Sequence, residues 1–253
     1  MIESNAYPIL EFDDNPVSKI DPSRLDLPQF PCDRMVITFF PEVVEKLAAE
    51  QKIVLERVIP GENPVTIYRF ADTGTLLTLG IVGCPSCAGN LDYFNAMGVK
   101  RVMFCGGGGV LQKDIEVGRL LLVDGAIRDE GFSYHYLAPS RIVYADSDTN
   151  AAVARYLEEN SIAYFRGLTW TTDAMFRETE DRIARRRAEG ARIVEMEQAG
   201  CLAVAQFRSF RYAALIYGGD DVSQEEWSQR KWRSREGLRY DLVLLCERLT
   251  KEL

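Results

Sequence analysis

Three segments of this chain carry residue types that could do chemistry on a sugar joined to a base. The first is Glu195-Met196-Glu197, two carboxylates around a thioether at the start of an apolar run. Carboxylate oxygens accept hydrogen bonds from a diol, and a methionine packs softly against the apolar face of a sugar ring. The second is Gly106-Gly107-Gly108-Gly109, read as a loop whose bare backbone lets N–H groups approach an anion or a sugar; the alternative is a plain tight turn. The third is Asp220-Asp221 after Gly218-Gly219, either an acid for a leaving group or the cap of a helix. Glu195 carries the same alternative, because it precedes a helical pattern and could cap it.

His135, the single histidine, lies in the polar stretch Arg128 to Tyr136 and is a candidate binding residue beside Arg128. No histidine-based triad and no metal-ligand cluster is legible. Cys84-Pro85-Ser86-Cys87 has the spacing of a redox motif, but one such pair is weak evidence and has no second pair to complete a zinc site.

The elements that would position these groups alternate between strand and helix. Met35–Phe40, Val65–Phe70, Thr75–Val82, Val99–Cys105, Leu120–Val123, Ile162–Leu168, Arg192–Met196 and Tyr212–Tyr217 read as strands. Helices are expected over Glu42–Gln51, Ser86–Met97, Asn150–Asn160, Thr179–Glu189, Gln198–Phe207 and Arg235–Lys251. That alternation predicts an α/β fold: one three-layer αβα domain around a mixed, largely parallel sheet. Residues 1–32, rich in Pro, Asp and Ser, are expected to form an extended arm, and 33–253 the catalytic domain. Each candidate segment follows a strand, and ligands of open α/β sheets collect beyond the carboxyl ends of strands.

Composition narrows the classes. The net charge of -8 argues against general nucleic-acid binding, which wants a positive field. The basic run Arg182 to Arg187 alternates with Glu and Ala as a solvated helix face does. No long apolar stretch suggests a membrane span, and no secretory signal is legible at the N-terminus. Scattered cysteines in apolar runs predict reduced thiols and a cytoplasmic location.

From about Arg34 to Leu253 the chain resembles the nucleoside phosphorylase superfamily, which includes uridine phosphorylase, purine nucleoside phosphorylase and methylthioadenosine nucleosidases. The similarity is carried by Val44–Ala48, Gly98–Gly109, Ile115–Gly118, Arg128–Tyr136 and, most specifically, Val194–Gly200. The segment Trp170-Thr171-Thr172-Asp173-Ala174-Met175-Phe176-Arg177-Glu178-Thr179 resembles a branch near uridine phosphorylase. The resemblance implies a pentosyltransferase that splits a nucleoside with phosphate into free base and ribose 1-phosphate. It implies no cofactor beyond phosphate as co-substrate, and a homo-oligomer, dimer or hexamer. By the same resemblance Glu197 holds the ribose hydroxyls, Met196 packs on the sugar with Glu195 beside it, and Gly106, Gly107 and Gly108 contact ribose and phosphate. Asp220 protonates the base, Met175 and Phe176 wall it, and Arg57 and Arg128 are loose matches for phosphate ligands.

The chain also departs from the family pattern. Phe39-Phe40-Pro41-Glu42-Val43 stands where a Gly-Asp-Pro segment with an arginine is usual, and Phe104 stands for a second arginine. Thr179 and Asp181 replace the residues that read uracil. Two further readings therefore stay open: a hydrolytic nucleosidase using water, and a nucleoside-binding protein without catalysis.

Overall fold

The computed structural model describes residues 4–253. Of the expected arm, 1–3 lie outside the described residues; from Ser4 it carries two single 3-10 turns, Pro8–Leu10 and Pro22–Arg24, and no strand. Phe30 ends it, buried, its N–H donating to the Met97 carbonyl.

Ten strands follow among the described residues: β1 (Arg34–Thr38), β2 (Ile53–Ile59), β3 (Val65–Phe70), β4 (Leu76–Leu79), β5 (Arg101–Val110), β6 (Leu120–Asp129), β7 (Ile142–Tyr144), β8 (Tyr164–Thr172), β9 (Ala191–Glu195) and β10 (Arg211–Asp221). Six helices accompany them: α1 (Pro41–Ala49), α2 (Cys84–Ala96), α3 (Ser147–Glu159), α4 (Glu180–Ala188), α5 (Gln198–Arg208) and α6 (Glu236–Leu249). The layers follow from side-chain alternation. On β1, Met35 and Ile37 join the core under α2 and α5, while Val36 joins the one under α1, α3 and α6. On β5, Val102 and Phe104 face the first core, and Met103 and Cys105 the second. Strands apolar on both faces belong in a sheet covered on both sides, which is the three-layer arrangement expected.

The sheet is mixed. Pairing is parallel for β1–β4, β1–β5, β5–β10, β6–β8 and β8–β9, and antiparallel for β2–β3, β3–β4, β5–β9, β6–β7 and β6–β10. Because β5 pairs with both β9 and β10, the strands β5, β10, β6, β8 and β9 close into a ring. The strands β1, β4, β3 and β2 extend from β5 as an open wing.

The four glycines correct the expectation of a loop: Gly106 to Gly109 are part of β5 itself. Their missing Cβ atoms make room for neighbours. A Cβ on Gly108 would lie 2.6 Å from the Val194 carbonyl oxygen, and one on Gly107 would lie 2.9 Å from the Tyr217 ring and 3.0 Å from Trp232. Here β5 exchanges one partner for another, from β1 at Cys105 to β9 at Gly109, and only glycine lets the backbones close that tightly.

Candidate active site

The carboxyl ends of β5, β9 and β10 converge. Gly107 pairs with Tyr217, Gly108 with Gly218, and Gly109 with Val194, so the glycine strand lies between the Glu-Met-Glu segment and the end of β10.

Glu195 is buried and its oxygens are spent on structure. One accepts the N–H groups of Glu197 and Gln198 at 2.6 and 2.7 Å, and the other accepts the Thr171 hydroxyl at 2.5 Å. Thr171 in turn accepts the Ala199 N–H at 2.9 Å. Three of the orphan donors at the start of α5 are met in this way, which is the capping role rather than the substrate contact expected of Glu195.

Glu197 is left for other work. One oxygen accepts the Gly83 N–H at 2.9 Å, and the other a long bond from Met196 N–H at 3.3 Å. Gly83 has φ +98, a left-handed conformation that suits glycine, and α2 starts immediately after it. Burial, with Glu195 adding its negative charge, pushes the Glu197 carboxyl up to about 8. Met196 stays half-buried beside it.

Asp220 lies at the end of β10, partly exposed, and its Oδ2 accepts the Trp227 indole N–H at 2.7 Å. Asp221 is buried and turns inward to accept the Ser223 N–H at 2.8 Å, a turn contact. Trp232 lies over Gly107 and Gly219, and Arg230 donates to the Gly219 and Ile115 carbonyls. Opposite, at the end of β1, the Phe39 ring lies against Gly80 and Gly106 and packs on Phe104 with centroids 5.2 Å apart.

Other expected site residues are placed differently. Arg128 is buried, and its guanidinium donates to the Ser133 and Ser140 hydroxyls and to the carbonyls of Leu137 and Ala138. It fastens the stretch after β6, so the phosphate role expected of it is corrected: its donors are committed. Arg57, on β2 in the open wing, donates to the Pro28 carbonyl and stacks on Phe30, holding the arm; within one chain it stays away from the glycine strand. His135 is exposed on the 3-10 turn Phe132–His135. Met175 and Phe176 lie on the turn Met175–Arg177, with Phe176 93% exposed, so its ring walls nothing within one chain. Cys84 and Cys87 are buried with thiols pushed up, Cys84 chiefly by burial; Cys87 is 3.9 Å from Cys201. Raised, buried thiols are inert, which removes the redox reading.

Sequence reasoning missed Gly83 and Thr171, which hold Glu197 and the start of α5. Pro85 just inside a helix start was the available signal for Gly83.

The Glu-Met-Glu segment, set beside the glycine strand by the pairing of Gly109 with Val194, is accompanied by a match to a family model. The model described as phosphorylase superfamily matches residues 33–237. The chain belongs to this superfamily.

Among curated relatives, a guanosine phosphorylase of Halorubrum lacusprofundi is 29% identical over 141 residues, which is 56% of this chain and 58% of that one. A uridine phosphorylase of Thermococcus kodakarensis is 30% identical over 136 residues, 54% of this chain and 49% of that one. The matches thus span about half the length of these relatives. The solved uridine phosphorylase of Vibrio fischeri shares the fold, with TM-score 0.68 and 17% identity over 90% of this chain and 98% of that one. Among the described residues no helix is long and apolar enough to cross a membrane, and no group of metal-binding side chains is present.

Proposed function

We propose that this superfamily member cleaves the N-glycosidic bond of a nucleoside, with orthophosphate as acceptor, giving free base and ribose 1-phosphate. Glu197 carries the reading. It is a buried carboxyl group held by one good backbone donor, with acceptor capacity to spare beside a soft methionine. Glu195, which could have competed for the same role, is occupied by the start of α5. A largely neutral Glu197 donates to one ribose hydroxyl and accepts from the other. As positive charge develops on the ribosyl group, that charge favours ionised Glu197, and the attraction grows toward the transition state. Asp220, at the end of β10, is the acid this reading assigns to the departing base. The reaction needs no cofactor in this scheme, and a second copy of the chain would bring Arg57 or Phe176 to a neighbouring site.

One observation favours water as the acceptor instead. The Phe39 ring just after β1 and the Phe104 ring within β5 stand where the family resemblance places phosphate-binding arginines. Incubating the protein with nucleosides, with and without phosphate, separates the readings. Ribose 1-phosphate supports phosphorolysis, free ribose supports hydrolysis, and binding without base release supports neither.

A further inference from the structure

The acid of the proposed reaction has an aromatic neighbour. The Trp227 indole N–H donates to Asp220 Oδ2 at 2.7 Å, yet Trp227 is 60% exposed. Among the described residues Asp220 Oδ1 has no hydrogen-bond partner. One oxygen of the acid is thus anchored, and the other is free to face a base. Across β5, Asp221 pairs with Val110 and Val194 with Gly109, so the end of β10 and the Glu-Met-Glu segment flank the same step of the glycine strand. Two strand spacings separate them, about 10 Å, a span that a ribose and its base cover.

The loop that carries Trp227, 222–235 between β10 and α6, is braced. Asp221 and Ser228 exchange backbone hydrogen bonds at 2.8 and 3.0 Å, and the Tyr217 hydroxyl donates to the Trp232 carbonyl at 3.1 Å. The Arg230 guanidinium donates to the Gly219 and Ile115 carbonyls. Arg230 and Lys231 have φ +45 and +51, a left-handed conformation that residues with a side chain keep only where their surroundings fix it. Strain of this kind clusters at ligand clamps. A large apolar ring left in water on a fixed loop favours binding, because the ligand that covers it need not order it first.

We propose that Trp227 is the wall on which the leaving base stacks, held in place by its bond to Asp220, and that the base is a purine. The inference rests on the cleavage proposed above, with Asp220 as acid, and adds the base contact that Phe176 does not make within one chain. A base that meets Asp220 Oδ1 lies one carboxyl group away from the indole bound to Oδ2. A two-ring base covers the two-ring indole more fully than a one-ring base does, which favours purine over pyrimidine.

The test measures binding of hypoxanthine and uracil, by calorimetry and by tryptophan fluorescence, to wild type, Trp227→Phe and Trp227→Gln. Phenylalanine keeps a ring without the N–H, and glutamine keeps a donor without the ring. Wild type is expected to bind hypoxanthine more tightly than uracil, with quenched emission. Trp227→Phe should bind hypoxanthine within a few-fold of wild type and lose that quenching. Trp227→Gln should bind it about 5–150-fold more weakly, the range that stacking a base on an aromatic side chain gives. Unchanged hypoxanthine binding in Trp227→Gln, quenching that persists in Trp227→Phe, or no hypoxanthine binding by wild type would overturn the inference. Uracil bound as tightly as hypoxanthine would overturn the purine assignment. Base release from inosine is followed in parallel: its absence beside the expected binding pattern would refute the cleavage and leave the wall standing.

Discussion

Replacing Glu197 by glutamine should make stability less dependent on pH while abolishing turnover. In the folded chain this carboxyl is raised from its ordinary 4.5 to about 8 by burial and by Glu195. The native state therefore keeps a proton that the unfolded chain releases once pH passes 4.5. The sign follows from linkage: stability is full below the unfolded value and falls as pH climbs toward 8. Each pH unit inside that window removes up to about 1.4 kcal/mol, so the step from pH 5 to pH 7 removes on the order of 2–3 kcal/mol. For a domain of this size that corresponds to roughly 5–10 °C in Tm. Glutamine keeps the shape and still accepts the Gly83 N–H, but it does not titrate. The assay is thermal unfolding of wild type and E197Q at pH 5 and pH 7; Glu195, also raised by burial, loses its like-charged neighbour in the variant, so its contribution to the pH dependence shrinks together with that of Glu197. Wild type should lose the larger Tm across that step. Equal losses would mean that Glu197 is not a buried, proton-holding carboxyl, and the derivation of the site from it would fail.

Asp220→Asn should lose about 10²–10⁴-fold in turnover of a purine nucleoside if Asp220 is the acid, and initial rates of base release check this. Gly107→Val places a side chain within 3.0 Å of Tyr217 and Trp232 and should cost about 1–3 kcal/mol by overpacking, read from the urea midpoint. Phe39→Ala opens the space over Gly80 and Gly106. It should raise the ratio of ribose 1-phosphate to ribose at fixed phosphate, at a cost of up to about 3 kcal/mol in stability.

The element types were legible where apolar periodicity is strong. The expected strand Arg192–Met196 is β9 at Ala191–Glu195, and the helix Gln198–Phe207 is α5 at Gln198–Arg208. The errors concentrate at the carboxyl ends of the strands. β5 continues through four glycines, β6 through Arg128 and Asp129, β8 through Thr172 and β10 through Asp221, all stretches expected to be loops or left without an element. Glycine and small polar residues are poor strand formers in isolation, and here pairing with neighbouring strands overrides that preference. β2 was missed because Glu56 and Arg57 interrupt its apolar pattern, at a place where an edge strand tolerates charge. In the site, Glu197 and Asp220 were legible from position after a strand. Gly83 was not, because the carboxylate it holds, Glu197, lies 114 residues further along the chain.

The ring of five strands and the open wing divide the labour of the molecule. Glu197 follows β9, Asp220 ends β10 and Thr171 lies on β8, all members of the ring, whereas Phe39 and Gly80 follow the wing strands β1 and β4. The two regions are joined at Glu197, because the Gly83 N–H that holds it comes from the segment after the wing strand β4. Under the proposed function, a change after β1 alters what reaches the sugar, whereas a change that moves Gly83 is felt at Glu197 itself.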